Sequence, residues 1–401
     1  MTEVGSSHSH AHGHGAGATV SPPIERALRA TVIACALLTV LGLVLLWPSG
    51  DRSSLDPSML DADPIGARVQ QVAVQPCSYD DTVECSVATL SIIEGTTAGE
   101  VFTFEEITSG AGKRLTAGDD VLVLATVSVD GTTNYSFYEY ERSTPLLLLL
   151  LAFVVAILVL GRWKGAGALA GLAASLGVIV VFLLPSLLDG NQAVLVALVA
   201  ASLIAFVALY LAHGVSPMTT VALLSTFAAL VVTGVLSWLF VRLANFTGYT
   251  DDSTQMLDAL QVPIDPRGIL LAGIVIGSLG VLDDVTVTQV SAVAELRSAQ
   301  PDLPSADLYR QALRIGRDHI SSTVNTLFLA YAGASLPLLL LFSEAGQSIG
   351  SIVTRELVAV EVVRSLVGSI GLVSAVPIST WLAAQVLRPI AVSSHPDDGG
   401  S

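Results

Sequence analysis

Of 401 residues, 52% are apolar and only 13% are charged, about half the charged share of a soluble domain. The chain has too few charges to coat a water-facing surface, and a lipid bilayer is the solvent that fits. The formal net charge of −16 gathers in segment 51–143, in the loop 242–267 and in the C-terminal tail; no basic patch exists, so nucleic-acid binding is set aside.

Residues 1–26 are mostly Gly, Ser, Ala and His, a composition that cannot bury a core, and they are expected to form a disordered cytoplasmic tail. His8, His10, His12 and His14 alternate there with Ser, Ala and Gly. Imidazoles at that density bind Zn, Ni or Cu weakly, because no scaffold fixes their geometry. After Arg26 and Arg29 an apolar run reaches Trp47, long enough to span a bilayer. No small-residue cleavage site follows, so 27–48 reads as an uncleaved signal-anchor helix, and 49–66 as a polar linker.

From Ala67 the periodicity changes to two. Five alternating runs, ending in Tyr138-Glu139-Tyr140, are punctuated by turns such as Glu94-Gly95 and Asp130-Gly131. Residues 67–143 are therefore expected to form a small all-β domain, an OB-like or other small barrel or else a sandwich. Cys77 and Cys85 flank seven residues within it. They are expected to form a disulfide if the domain faces an oxidising compartment, and to be free thiols on a hairpin if it does not.

A second apolar run covers 145–160 and is closed by Arg162-Trp163-Lys164; others cover 166–187, 193–212, 218–241, 268–292, 320–342 and 362–387. With the first run these predict a bundle of about eight transmembrane helices. Seven of them form one domain over 144–388, followed by a short disordered tail, 389–401. Arg26, Arg29, Arg162, Lys164, Arg297, Arg310, Arg314, Arg317 and Arg388 all fall on one side of that arrangement, which the positive-inside rule makes the cytoplasm. Both termini are expected inside and the β domain outside, in a bacterial plasma membrane.

A charge at the bilayer centre costs at least about 2.5–3.5 kcal/mol on insertion scales, so such residues face a cavity or a partner. In the run Gly273–Gln289, Asp283 and Asp284 fall about 24–26 Å along the helix from Arg267 at ~1.5 Å per residue. Asp284, Thr288, Ser291 and Glu295 share one helical face. The next helix enters from the cytoplasm with Arg317-Asp318-His319, Ser321-Ser322-Thr323 and Asn325-Thr326, at the same depth. Gly277 and Gly280 permit close helix approach or a helix break. An ion or substrate site is expected from Asp283, Asp284, Thr288, Gln289, Asn325 and His319. The competing reading is that one aspartate pairs with Arg314, Arg317 or Asn325 and holds two helices in register. Glu361 and Arg364, at i,i+3, are expected to form an intramembrane ion pair, with a gate or a contact to the β domain as the other option.

Both aspartates lie on one helix and no second buried aspartate is evident, which argues against an intramembrane aspartyl protease. No Gly-x-Ser-x-Gly, His-Glu-x-x-His or phosphate loop occurs, so neither enzymatic activity nor a cofactor is expected. Several strings together resemble the YibE/F-like family of bacterial membrane proteins. They are Tyr138-Glu139-Tyr140-Glu141-Arg142, Leu282-Asp283-Asp284-Val285-Thr286-Val287-Thr288-Gln289, Ile315-Gly316-Arg317-Asp318-His319-Ile320 and Glu361-Val362-Val363-Arg364, within about 130–390. The resemblance implies a multi-pass membrane protein and leaves the substrate open. The expected function is a permease or ion-coupled transporter, its partners being the lipid bilayer and a small solute or ion. The alternative is a non-transporting envelope scaffold or sensor whose β domain binds an envelope protein.

Overall fold

The computed structural model describes residues 19–50, 64–78, 80–95, 97–107, 114–128, 132–250, 252–259, 262–344, 346 and 348–388. His8, His10, His12 and His14 lie outside them, as do most of the linker and the C-terminal tail. The chain divides into two compact units, one being Ser53–Val159 and the other Met1–Arg52 with Leu160–Ser401.

In the smaller unit the period-two runs form strands β1 (Ile65–Cys77), β2 (Asp80–Ile92), β3 (Val101–Ile107), β4 (Asp120–Val127) and β5 (Thr133–Tyr140). They make one antiparallel sheet in the order β3-β2-β1-β4-β5. Side chains alternate across a strand, and Ala67 and Val69 of β1, Ala88 and Leu90 of β2, and Val121 and Val123 of β4 fill one side. The sheet is curled. Its two edge strands meet through their rings, Phe102 against Tyr135 at 4.8 Å and Phe104 against Phe137 at 5.8 Å between centroids. The Tyr135 hydroxyl also donates to Glu100 at 2.7 Å. On the outer side Arg68 donates to both oxygens of Asp120, at 2.6 and 3.0 Å. Cys77 and Cys85, both buried, are joined by a disulfide across the β1–β2 hairpin.

The larger unit is helical: α1 (Pro22–Leu45), α2 (Ser143–Val178), α3 (Leu184–Leu188), α4 (Ala193–His213), α5 (Pro217–Leu243), α6 (Asp252–Ala259), α7 (Pro266–Ala299), α8 (Ser305–Ala334), α9 (Leu336–Glu344), α10 (Ile349–Val353) and α11 (Glu356–Val386). The helix α2 starts in the smaller unit and continues into this one. Among the described residues six helices are long and apolar enough to cross a membrane, or seven if α8 and α9, bent by 59°, count as one broken span. The runs 145–160 and 166–187, expected as two helices, follow one another without a loop and meet at a break. There Arg162 adopts φ 50° and ψ −129°, a strained conformation for a side-chain-bearing residue. A π-helical turn, Ile179–Leu183, then precedes Pro185, whose missing N–H removes a ladder donor.

The helix α7 sits at the centre, packed against α4, α5 and α11 through Val275, Leu279, Leu282 and Val285 on one side and Leu372, Ala375 and Val376 on the other. Small residues set how close the helices come. A Cβ added at Gly371 of α11 would collide with the Thr233 hydroxyl of α5. Residues Thr19–Val20 pair with Leu387–Arg388 in a short antiparallel bridge, so the start of α1 lies beside the end of α11.

Candidate functional site

Three faces of α7 carry the polar residues of the motif, and they point in different directions. Neighbouring positions on an α-helix lie about 100° apart, from 3.6 residues per turn, so Asp283 and Asp284 cannot share an environment. Asp283 turns into the bundle toward α5. The Thr226 hydroxyl reaches its carboxyl, Thr226 Oγ1 and Thr286 Oγ1 lie 2.7 Å apart, and Thr286 also donates to the Asp283 carbonyl at 3.1 Å. Both threonines are fully buried. Asp283 Oδ1 is enclosed and has no hydrogen-bond partner among the described residues.

Asp284 lies on an open face. Gly273, Gly277, Gly280, Asp284, Thr288, Ser291 and Glu295 are each exposed and follow one another at intervals of three and four, the spacing of a single helical stripe. Across it stands α8. A Cβ at Gly277 would lie 3.3 Å from the Tyr331 hydroxyl, whereas one at Gly280 would meet nothing within 4 Å. Asn325 is exposed and His319 half-buried, with Nε2 enclosed and without a partner among the described residues.

Gln289 occupies the third face. It is buried, and its amide donates to the Ala312 carbonyl of α8 at 2.9 Å and to the Thr380 hydroxyl of α11 at 2.8 Å. Thr380 passes its own proton to the Val376 carbonyl at 2.6 Å. A Cβ at Gly316 would come within 2.8 Å of Gln289 Oε1, so the glycine makes room for the amide. This is a satisfied three-helix junction, and Gln289 does not join the aspartates. The six residues expected to form one site are thus separated: Asp283 is partly buried with Oδ1 enclosed, Asp284 and Thr288 are on the open stripe, Gln289 is in the junction, and His319 and Asn325 are on α8.

Glu361 and Arg364 form an ion pair at 2.9 Å within α11, both partly buried. Arg364 also faces α7, where a Cβ at Gly273 would lie 3.9 Å from its terminal nitrogen. Its Nε, and the hydroxyl of neighbouring Ser365, are buried without partners among the described residues.

Sequence reasoning missed Thr226 and Tyr331. The signal for Thr226 was present in the hydroxyls of α5: Thr219, Thr226 and Thr233 recur every seven residues, and Ser237 follows four later. All are buried, on the face that α5 turns to α7 and α11. Tyr331 carried no signal beyond its place inside an apolar run.

A carboxyl flanked by two hydroxyls and a peptide carbonyl is rich in oxygen acceptors. Such a set suits a proton or a hard cation and repels an anion. A family model described as YibE/F-like protein matches residues 149–389. No curated protein and no solved structure matches the chain.

Proposed function

Because the chain belongs to the YibE/F-like family, and its long apolar helices are consistent with a membrane protein, we propose that it is a multi-pass permease or ion-coupled transporter of a bacterial plasma membrane that moves a proton or small cation past Asp283. The observation that carries this reading is the enclosed Oδ1 of Asp283, a carboxyl oxygen held inside the bundle beside Thr226 and Thr286 with no hydrogen-bond partner among the described residues. A carboxylate that served only to hold the helices would engage both oxygens, whereas here Thr226 reaches the group and Oδ1 is left over at a cost to the fold. The open stripe with Asp284 and Thr288 supplies a polar approach along the same helix.

The topology proposed with it places both termini in the cytoplasm and the β unit outside. The short bridge between Thr19–Val20 and Leu387–Arg388 supports the first part, since it puts both ends of the helical unit together. The Cys77–Cys85 disulfide supports the second, since such bonds persist in oxidising compartments. The curl of the five strands supports an OB-like barrel left open between its edge strands.

The test is flux in proteoliposomes, with an internal pH dye for protons and a panel of mono- and divalent cations. Asp283→Asn should reduce flux to the level of empty vesicles while the protein keeps its monodisperse profile in detergent. Undiminished flux in that variant would remove Asp283 from the pathway and this reading with it. A second reading, an envelope scaffold or sensor, is favoured by the β unit being a separate compact unit closed by its own disulfide.

A further inference from the structure

Every position on the face of α7 from Gly273 to Glu295 is exposed, although α7 is the most enclosed of the long apolar helices. Its neighbour α8 extends this open surface with Arg314, Arg317 and Asn325, also exposed. In a bilayer neither lipid tails nor an apolar helix satisfies such a face, because hydrocarbon offers a carboxylate or guanidinium nothing to bind.

The charges are matched as well as stranded. Among the described residues Asp284, Glu295, Arg314 and Arg317 take part in no ion pair, while Arg310 is paired with Asp307 and Arg364 with Glu361. The two helices run antiparallel. The Gln289–Ala312 hydrogen bond and the approach of Gly277 to Tyr331 fix their register. Counted from the Gln289–Ala312 contact, that register places Arg317 level with Asp284, and Arg314 within one helical turn of the same level. The acids are on α7 and the bases on α8. A two-fold axis along the membrane normal keeps levels and exchanges helices, so it would set Asp284 against Arg317 of the other copy. Gly273, Gly277 and Gly280 remove the side chains that would hold the two backbones apart.

We propose that the open face of α7 and α8 is the seam of a symmetric dimer, covered by a second copy of this chain, with Asp284 of each copy facing Arg317 of the other. The proposal rests on the bilayer reading given above and not on transport. It makes the polar stripe a shared, lipid-free seam between subunits.

The experiment uses the full chain in its own membranes, with Cys35→Ser to remove the free thiol. Ser291→Cys, on the stripe, should give a species of twice the monomer mass with a short bis-maleimide. Val231→Cys, exposed on α5, should give none. Asp284→Arg should lower the cross-linked fraction by about tenfold, in line with a desolvated charge pair, and adding Arg317→Asp should restore it. Only monomer from Ser291→Cys, equal cross-linking from both cysteines, or an unaffected Asp284→Arg would overturn the seam. So would loss in the single variant without recovery in the double one, or rapid labelling of Ser291→Cys by a water-soluble maleimide without dimer. Flotation of the same membranes separates the two levels of the argument. A chain that floats but stays monomeric refutes the dimer alone, whereas a chain that does not float refutes the bilayer reading.

Discussion

Single residues on α7 divide the work of the helix between holding and binding. Gln289 holds, since its amide satisfies a carbonyl of α8 and a hydroxyl of α11 at once. Replacing it by Leu removes two buried hydrogen bonds, at a cost of about 1–3 kcal/mol. Gln289→Leu should therefore melt earlier in detergent yet keep its flux per folded molecule, and a loss of flux at unchanged stability would assign it to the pathway instead. In the β unit Arg68 sets the acid behaviour of Asp120. Its hydrogen bonds hold the Asp120 carboxyl below the usual carboxylate range. A depressed folded-state value contributes stability above the unfolded carboxylate range, and that contribution is lost as pH falls through the folded value. The pair is open to solvent, so the effect is small. Arg68→Ala should move the Asp120 titration upward, toward its ordinary midpoint, in a carboxyl-detected NMR titration. An unmoved midpoint would mean the contact is not kept in solution.

At the scale of elements, the sequence disclosed type better than extent. The apolar runs are visible because hydrocarbon demands them, and the strands because one side of each is buried. What hydropathy missed was everything outside the apolar stretch. The run 268–292 lies in a helix extending from Pro266 to Ala299, and the run 320–342 begins inside a helix that starts at Ser305. Those extra turns are polar on one side and packed on the other, so a hydropathy window averages them away. The break at Ser335 between α8 and α9 was foreshadowed by Pro337, which disfavours helical backbone in the residue before it and lacks the N–H that would continue the ladder. The break at Arg162 has no such signal. The β1–β2 hairpin carries its own staple. Cys77 and Cys85 are eight residues apart, and opening so short a loop should lower the stability of the β unit by about 2–3 kcal/mol on the chain-entropy model. Thermal melts of the full chain with and without reductant measure this, and coincident melts would show that the hairpin needs no bond.

At the scale of the whole molecule, the candidate site was legible in part. Asp283 was identifiable as an unusual residue for an apolar helix. Its partner Thr226 lies 57 positions earlier and comes beside it only when α5 and α7 pack, a tertiary event that no local pattern encodes. The separation of Asp283 from Asp284, by contrast, follows from helix geometry alone. The division into two units offers a test between the two functional readings. Deleting residues 67–143 should leave flux intact and abolish capture of an envelope partner if the β unit is a receptor for one. Flux that falls to vesicle background would instead make the unit part of the transport machinery.

At Gly371 the backbone of α11 rests directly on Thr233 of α5, with no side chain between them to act as a cushion. Helices locked that closely travel as one body, and α7, packed against both, travels too. An alternating-access cycle would then need its hinge elsewhere, and the bent joint at Ser335 leaves α9 to swing while the Gln289 junction keeps α8 with this fixed trio.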